Sequence, residues 1–255
     1  MLTESQRERF YVVLVSPRNP LNIGAVARAM ANFGFANLTV VAPYEPHWRE
    51  ARSAVGAPDL LKNAREFPTL SEAVRDCALV IGTGTLTHRK PEQQVVRLNE
   101  SSQFLNPELD RVGRFAIVFG PEKHGLTRED LSYCHVLVEI PTDPQQPSMN
   151  LGQAAAVCLY ELAVRPATDP HHPGPRRQVQ SAEHTSSPTS GNLDILAQLI
   201  EQVMVAARYS PKTMQAANRH DLRLMLRRLH FDAADIRRAL GLFRRILWRF
   251  RHTRP

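Results

Sequence analysis

Four stretches of this 255-residue chain bring together residue types from which sites are built. In "SPRNPLNIGAVARAM" (16–30), Asn22, Gly24 and Arg28 fall on an Ala-rich segment behind the apolar run "YVVLV". Gly24 allows close backbone approach, Asn22 is placed to cap a helix, and Arg28, an always-charged fork of donors, suits a phosphate. The same stretch also reads as a plain capped helix with a surface arginine. In "GTGTLTHRK" (82–90), Gly82 and Gly84 form a G-x-G, but Thr87 stands where a dinucleotide fingerprint needs its third glycine. Such a fingerprint also belongs to the first strand of its unit, so a nicotinamide-linked dehydrogenase is a poor reading. "GPEKHGLT" (120–127) brackets one carboxylate, Glu122, between two glycines. "PTDPQQPSMNLGQAAAV" (141–157) is a Pro-stiffened loop in which Ser148 and Asn150 precede a small-residue helix, where a cap belongs.

Each stretch follows a short apolar run, and those runs must position it. "FYVVLV" (10–15), "NLTVVA" (37–42), "CALVIGT" (77–83), "RFAIVFG" (114–120) and "HVLVEI" (135–140) are β-branched and nearly continuous, the pattern of strands buried on both faces. Helical candidates lie between and after them, at 22–34, 49–55, 71–76, 127–133 and 150–164. Alternating β and α predicts an α/β fold with a mostly parallel sheet, in which ligands bind beyond the carboxyl ends of the strands. Each loop alone has a structural explanation. Four of them on one edge favour a ligand site.

The remainder divides in two. Residues 165–191 are rich in Pro, Ser, Thr and Gly and almost free of large apolar groups, so they read as a flexible linker between a domain at 1–164 and one at 192–255. In the last part, Leu193, Leu196, Ile200 and Val203 make one apolar stripe and Leu222, Met225, Leu226 and Leu229 another. Ile236, Leu240, Phe243, Ile246, Leu247 and Phe250 make a third, which together predict a small three-helix bundle. Charge separates the two parts: residues 191–255 hold 13 basic and 5 acidic residues, a net +8, against 19 and 20, a net −1, before them. That asymmetry points to a polyanion partner, or else to the solvated faces of amphipathic helices.

Several classes are set aside. No apolar run approaches the ~20 residues of a membrane helix, and the polar start "MLTESQRERF" is no secretory signal. Cys77, Cys134 and Cys158 fit no disulfide framework or metal spacing, which suggests a reducing cytoplasm. No H-E-x-x-H, C-x-x-C or P-loop is found, so no metal is expected.

Taken together the stretches resemble the SPOUT methyltransferases, and within them the TrmH-like RNA ribose 2′-O-methyltransferases. Three ordered motifs carry the resemblance: Asn22-x-Gly24-x-x-x-Arg28, "FGPEKHGL", and the Pro-bearing loop ending in "PSMNL". The layout is most similar to the TrmJ-like branch, which modifies nucleotide 32 in the tRNA anticodon loop and carries a helical extension after a polar linker. Two positions depart from it: Met149 stands where leucine is common, and Pro147 where serine often stands. The resemblance implies a SPOUT fold with a C-terminal trefoil knot, S-adenosylmethionine as cofactor, a homodimer, and tRNA bound with help from the basic extension. By motif position it implies Arg28 as the catalytic arginine, with Asn22, Ser148 and Asn150 orienting it or the ribose. Thr83, Gly84, Thr85, Gly120, Ile140, Ser148 and Met149 would hold the cofactor. A ribosomal RNA target, another tRNA position or a catalytically silent RNA-binding protein on the same fold are the alternatives.

Overall fold

In the computed structural model the described residues are 2–85, 91–101, 105, 113–164, 188–209 and 211–252. Thr87 and most of the expected linker, 165–187, lie outside them.

The five expected strands form at Phe10–Val15 (β1), Asn37–Val41 (β2), Cys77–Thr83 (β4), Arg114–Phe119 (β6) and Val136–Glu139 (β7). Two more join them, Arg65–Phe67 (β3) and Gln94–Arg97 (β5). All pair in parallel in the order β3-β2-β1-β6-β4-β7-β5. The two unexpected strands lie at the sheet's edges, where short, charged segments such as "REF" and "QVVR" are tolerated because only one side needs a partner. The central strands are covered twice. Phe10, Val12, Leu14, Ile81 and Ile117 pack on one face, while Val13, Val80, Val118 and Leu137 pack on the other, which is why their sequences run apolar without alternation.

The helices among the described residues are α1 (Glu4–Arg7), α2 (Pro20–Phe33), α3 (Pro58–Lys62), α4 (Leu70–Ala73), α5 (Arg128–Leu131), α6 (Leu151–Val164), α7 (Ser190–Ala206), α8 (Gln215–Arg228) and α9 (Ala233–His252). Between 49 and 55 only a 3-10 turn forms, at Trp48–Glu50. The start of α2 corrects the reading of Asn22 as a cap. Pro20 takes the first helical position, and Asn19 is the cap, its side chain accepting from the Leu21 N–H at 2.9 Å. Asn22 is therefore inside the first turn, with its amide free for another use. The helix stops at Gly34, whose φ of +73° lies in the left-handed region.

The last three helices form the expected bundle around Leu193, Leu196, Ala197, Leu226 and Ile236. α7 begins at Ser190, capped by Thr189, slightly before the expected domain start at 192. The second stripe needs correcting: Met225 and Leu229 are exposed, and Leu224 is buried instead. Leu224 lies beside Leu126 and Leu131 of the sheet domain, so α8 serves two surfaces, its own bundle and that domain. The bundle docks through arginine. The buried Arg227 guanidinium reaches Asp194 and Ser190, both at 2.9 Å, and its Nε donates to the Tyr133 carbonyl at 3.2 Å. Arg223 pairs with Glu129 and lies over the Tyr133 ring, 4.4 Å from its centre. The Gly191 N–H closes the contact on the Arg75 carbonyl at 2.9 Å.

Candidate active site

The strand order makes a single site of the four loops. β1, β6, β4 and β7 are consecutive neighbours, all parallel, so the loops after Val15, Phe119, Thr83 and Glu139 leave the sheet at one edge. Between three of them opens a cleft of about 270 Å³. Its walls include Thr83, Gly84, Thr85, Gly120, Ile140, Ser148 and Met149, the whole set expected to hold a cofactor. Phe119, Glu122, Lys123, His124, Leu126, Leu131, Thr142 and Leu151 also line it, beyond that set.

Short-range chemistry fixes the walls. A Cβ on Gly120 would fall 2.2 Å from the Leu126 nitrogen and 2.3 Å from the Gly125 carbonyl carbon, so only glycine lets the 120–126 loop fold back on its strand. Across the cleft, Thr85 and Thr142 both donate to the Pro147 carbonyl, at 3.0 and 3.1 Å, tying the loop after β4 to the proline-rich loop after β7. The buried Thr83 hydroxyl donates to the Val118 carbonyl at 2.9 Å, fixing β4 against β6 at the cleft floor. Gly24 has another use than a ligand: a Cβ there would meet Ser53 Oγ at 2.2 Å, so its close approach is to the chain's own 53–54 segment.

Glu122 is the centre of the polar network and was the least legible member in sequence. Its carboxylate accepts from the Arg18 N–H at 3.1 Å, the Asn19 N–H at 3.2 Å and the Asn22 side chain at 2.8 Å. Burial pulls its pKa up, but the bond from Asn22 and those from backbone N–H groups outweigh that and hold the carboxyl below its ordinary value. Asn22 in turn accepts from Asn150 Nδ2 at 2.9 Å. The Asn150 side-chain oxygen accepts from the Gly152 N–H at 2.9 Å, so Asn150 does cap its helix as expected. One chain of hydrogen bonds, Asn150–Asn22–Glu122, thus joins the loops after β7, β1 and β6. The signal for it was the lone acid between two glycines.

Arg28 and Ser148 stand apart from this network. Arg28 is exposed on α2 and makes no hydrogen bond, ion pair or ring contact with the described residues. It lies six residues, about 9 Å of helix rise, beyond Asn22. Ser148 is exposed at the cleft wall. A separate group, Glu92, His220 and Asp221, brings three potential metal-binding atoms within 4.8 Å of one another, but His220 Nε2 already accepts from Arg128 Nε at 3.1 Å.

Residues 9–160, which span the whole sheet and the cleft, match the SpoU rRNA Methylase family. The chain belongs to that family. The tRNA (cytidine/uridine/adenosine-2′-O-)-methyltransferase TrmJ of Pseudomonas aeruginosa is 32% identical over 94% of this chain and 93% of its own. An uncharacterized tRNA/rRNA methyltransferase of Escherichia coli, LasT, is 37% identical over 61% of this chain and 68% of its own. The crystal structure of TrmJ from Z. mobilis superposes with a TM-score of 0.76 at 28% identity, covering 92% of this chain and 98% of that one. Coverage of that extent takes in the helical extension as well as the SpoU domain.

Proposed function

We propose that this SpoU-family methyltransferase uses S-adenosylmethionine to methylate a ribose 2′-hydroxyl of tRNA, at nucleotide 32 of the anticodon loop. The observation that carries the reading is the convergence of all seven expected cofactor residues on one cleft at the carboxyl edge of β6, β4 and β7. The cleft suits that cofactor. Leu126, Leu131, Ile140 and Met149 offer an apolar wall for a planar base, and Thr85, Ser148 and loop backbone offer polar partners for a sugar and an amino acid. When bound, S-adenosylmethionine supplies a methyl group already activated on sulfonium.

The protein's own task is then mainly positioning. The Asn150–Asn22–Glu122 chain holds three loops in register before substrate arrives. Arg28 grips a phosphate and stabilises the oxyanion that develops as the 2′-hydroxyl loses its proton; a guanidinium does not serve as a general base near neutrality. Ser148 and Asn150 orient the ribose. The working unit is a homodimer. Val157, Tyr160 and Val164 leave an exposed apolar stripe on α6, which meets α2 where Tyr160 touches Phe33 and Gly152 approaches Ala25. Arg28 lies between those two α2 positions, so a second copy covering the stripe would border the arginine. The trefoil knot belongs to the same proposal, and the crossing of β4 to β5 over the intervening β7 is compatible with it. The setting is the cytoplasm, in keeping with three buried, unpaired cysteines. Among the described residues no helix is long and apolar enough to cross a membrane.

The test is transfer of labelled methyl from S-adenosylmethionine to total tRNA and, separately, to ribosomal RNA, with nuclease mapping of the product. A 2′-O-methyl at anticodon-loop position 32 is expected. Label in ribosomal RNA alone would overturn the tRNA assignment, the second reading favoured by the similarity to a tRNA/rRNA methyltransferase. Failure to bind the cofactor by calorimetry would overturn the enzyme reading altogether.

A further inference from the structure

The extension's positive charge is not one surface. On α8, Arg219, Arg223 and Arg227 are held by Glu201, Glu129 and Asp194, so they serve folding and docking. On α9 the situation reverses. That helix carries six arginines against one acid, Asp235 in its first turn, which Arg238 meets at 3.8 Å, and Arg244 and Arg245 form no ion pair with the described residues. Ile236 and Leu247 are buried, and Leu240 and Phe243 pack on the bundle core. The core-facing side is therefore covered, Phe250 of the expected apolar stripe and Leu242 stay exposed beside it, and the arginines look outward.

Two further features mark that outer face as built for more than solubility. Trp248 is 43% exposed, yet it is held rigid: the His252 ring stacks on it at 4.6 Å and the Arg245 guanidinium lies 4.5 Å from its centre. One turn before Arg244 and Arg245 stands Gly241, in mid-helix, where glycine is disfavoured. Its φ is ordinary, and a Cβ there would meet nothing within 4 Å, so neither backbone strain nor packing accounts for it. It leaves a notch, bordered by arginines, in line with the aromatic pair. Exposed aromatics beside arginines are what a single-stranded nucleic acid stacks upon, and a missing side chain is what lets a phosphate backbone come close.

We propose that the outer face of α9 is the RNA-docking surface of the extension, with an unpaired base stacking on the exposed His252 ring that Trp248 backs, Arg244 and Arg245 neutralising the flanking phosphates, and Gly241 admitting the backbone between them. This rests on the RNA-methyltransferase reading above.

The test measures binding of the full-length protein to a fluorescein-labelled, unmodified tRNA transcript across a salt series. Alongside it, calorimetry with S-adenosylmethionine and thermal unfolding report on the rest of the molecule. Arg244→Gln/Arg245→Gln is expected to weaken tRNA binding at least 10-fold and to make the slope of log K against log salt shallower by about 1.5, with cofactor affinity and unfolding midpoint unchanged. Trp248→Ala should weaken it about 10-fold and Trp248→Phe should restore it. Gly241→Ala should raise helix content yet weaken binding several-fold, the opposite of what a merely structural glycine would do. Iodide should quench Trp248 but not the buried Trp48, and bound tRNA should protect it. Wild-type binding with all four variants indistinguishable from it would overturn this surface and leave the methyltransferase reading standing. Cofactor binding without tRNA binding in the wild type would overturn both the surface and the tRNA assignment. Capture of phosphatidylglycerol vesicles with the same sensitivity to the variants would assign the face to a membrane instead.

Discussion

Arg28 and Arg227 are the same residue put to opposite uses in two regions of the molecule. Arg227, at the seam between sheet domain and helical bundle, is buried with its side chain 1% exposed, and every arm of its guanidinium is engaged: by Asp194, Ser190, and the carbonyls of Tyr133 and Arg223. Arg28, in the middle of α2, is exposed and has no partner among the described residues. A buried charge without partners is costly, so the seam must satisfy Arg227 within the fold. An exposed guanidinium incurs no such cost and stays available for an anion that arrives later. One region is completed by the chain itself and the other by its substrate. Removing the arginine should therefore damage stability in the first and chemistry in the second.

The largest effect expected is on catalysis. Arg28→Ala should lower methyl transfer by on the order of 10³-fold or more, in keeping with the loss of a charge that stabilises a developing oxyanion. Cofactor affinity by calorimetry and the unfolding midpoint should stay near wild type. A parallel loss of cofactor binding and of stability would show that Arg28 belongs with Arg227 as a folding residue, and the contrast would collapse. Next is Arg227→Ala, which strands Asp194 in a mostly buried position. Urea unfolding should show a loss of about 3–5 kcal/mol, or early release of the bundle as a separate transition. A loss under about 1 kcal/mol would place this pair among surface ion pairs.

The same contrast explains what was legible in the sequence. The five central strands were readable because burial on both faces leaves a continuous apolar run, whereas β3 and β5 were not, since edge strands of three or four residues with charged ends carry no such signal. The cleft was readable because glycines and prolines mark the loops, but its unity came from the order β1-β6-β4-β7, which no local pattern encodes. Asn22 was misread as a cap because Pro20, two residues earlier, sets the helix start and hands the cap to Asn19. Its actual partners, Glu122 and Asn150, are 100 and 128 residues away in sequence. Likewise Arg223 and Arg227 counted in the sequence only toward the net charge of +8 over 191–255, and only tertiary structure shows their acids, Glu129 on the far domain and Asp194 on a neighbouring helix.

pH separates the two regions further. His135 lies between β4 and β7 near the seam, its Nδ1 accepting from the Val80 N–H at 3.1 Å. Burial, then the nearby charges of Arg227 and His230, push its pKa down to about 3. The native state thus resists the proton that the unfolded chain takes up near pH 6.5. Stability from this group is complete above that pH and falls as pH drops toward 3, by up to about 1.4 kcal/mol per pH unit. Urea midpoints measured from pH 7.5 to 4.5 should show this, and Arg227→Met should lessen the slope if the arginine's charge contributes. An unchanged slope would leave burial and the His230 charge as the causes.

The smallest effect belongs to the cleft. The Glu122 carboxyl is held below its ordinary pKa, so the native state favours the charged form. Its contribution is present above about pH 4.5 and is lost as pH falls through the lowered native value. Glu122→Gln removes that charge at every pH. It also puts an N–H₂ group where an acceptor faces the Arg18 and Asn19 N–H groups and the Asn22 amide, so one of those donors loses its partner. Because the site is largely exposed, the stability cost should be modest, about 1 kcal/mol by urea unfolding. Methyl transfer should nevertheless fall about 10-fold or more, through misplacement of α2 and the loops it is tied to. Glu122→Asp, which keeps the charge on a shorter arm, should recover part of the rate. If both variants unfold early and lose cofactor binding in proportion, the Asn150–Asn22–Glu122 chain is a structural brace like the Arg227 seam. A loss of rate with stability intact would instead mean that three hydrogen-bonded side chains set the geometry in which a free arginine, further along the same helix, meets its substrate.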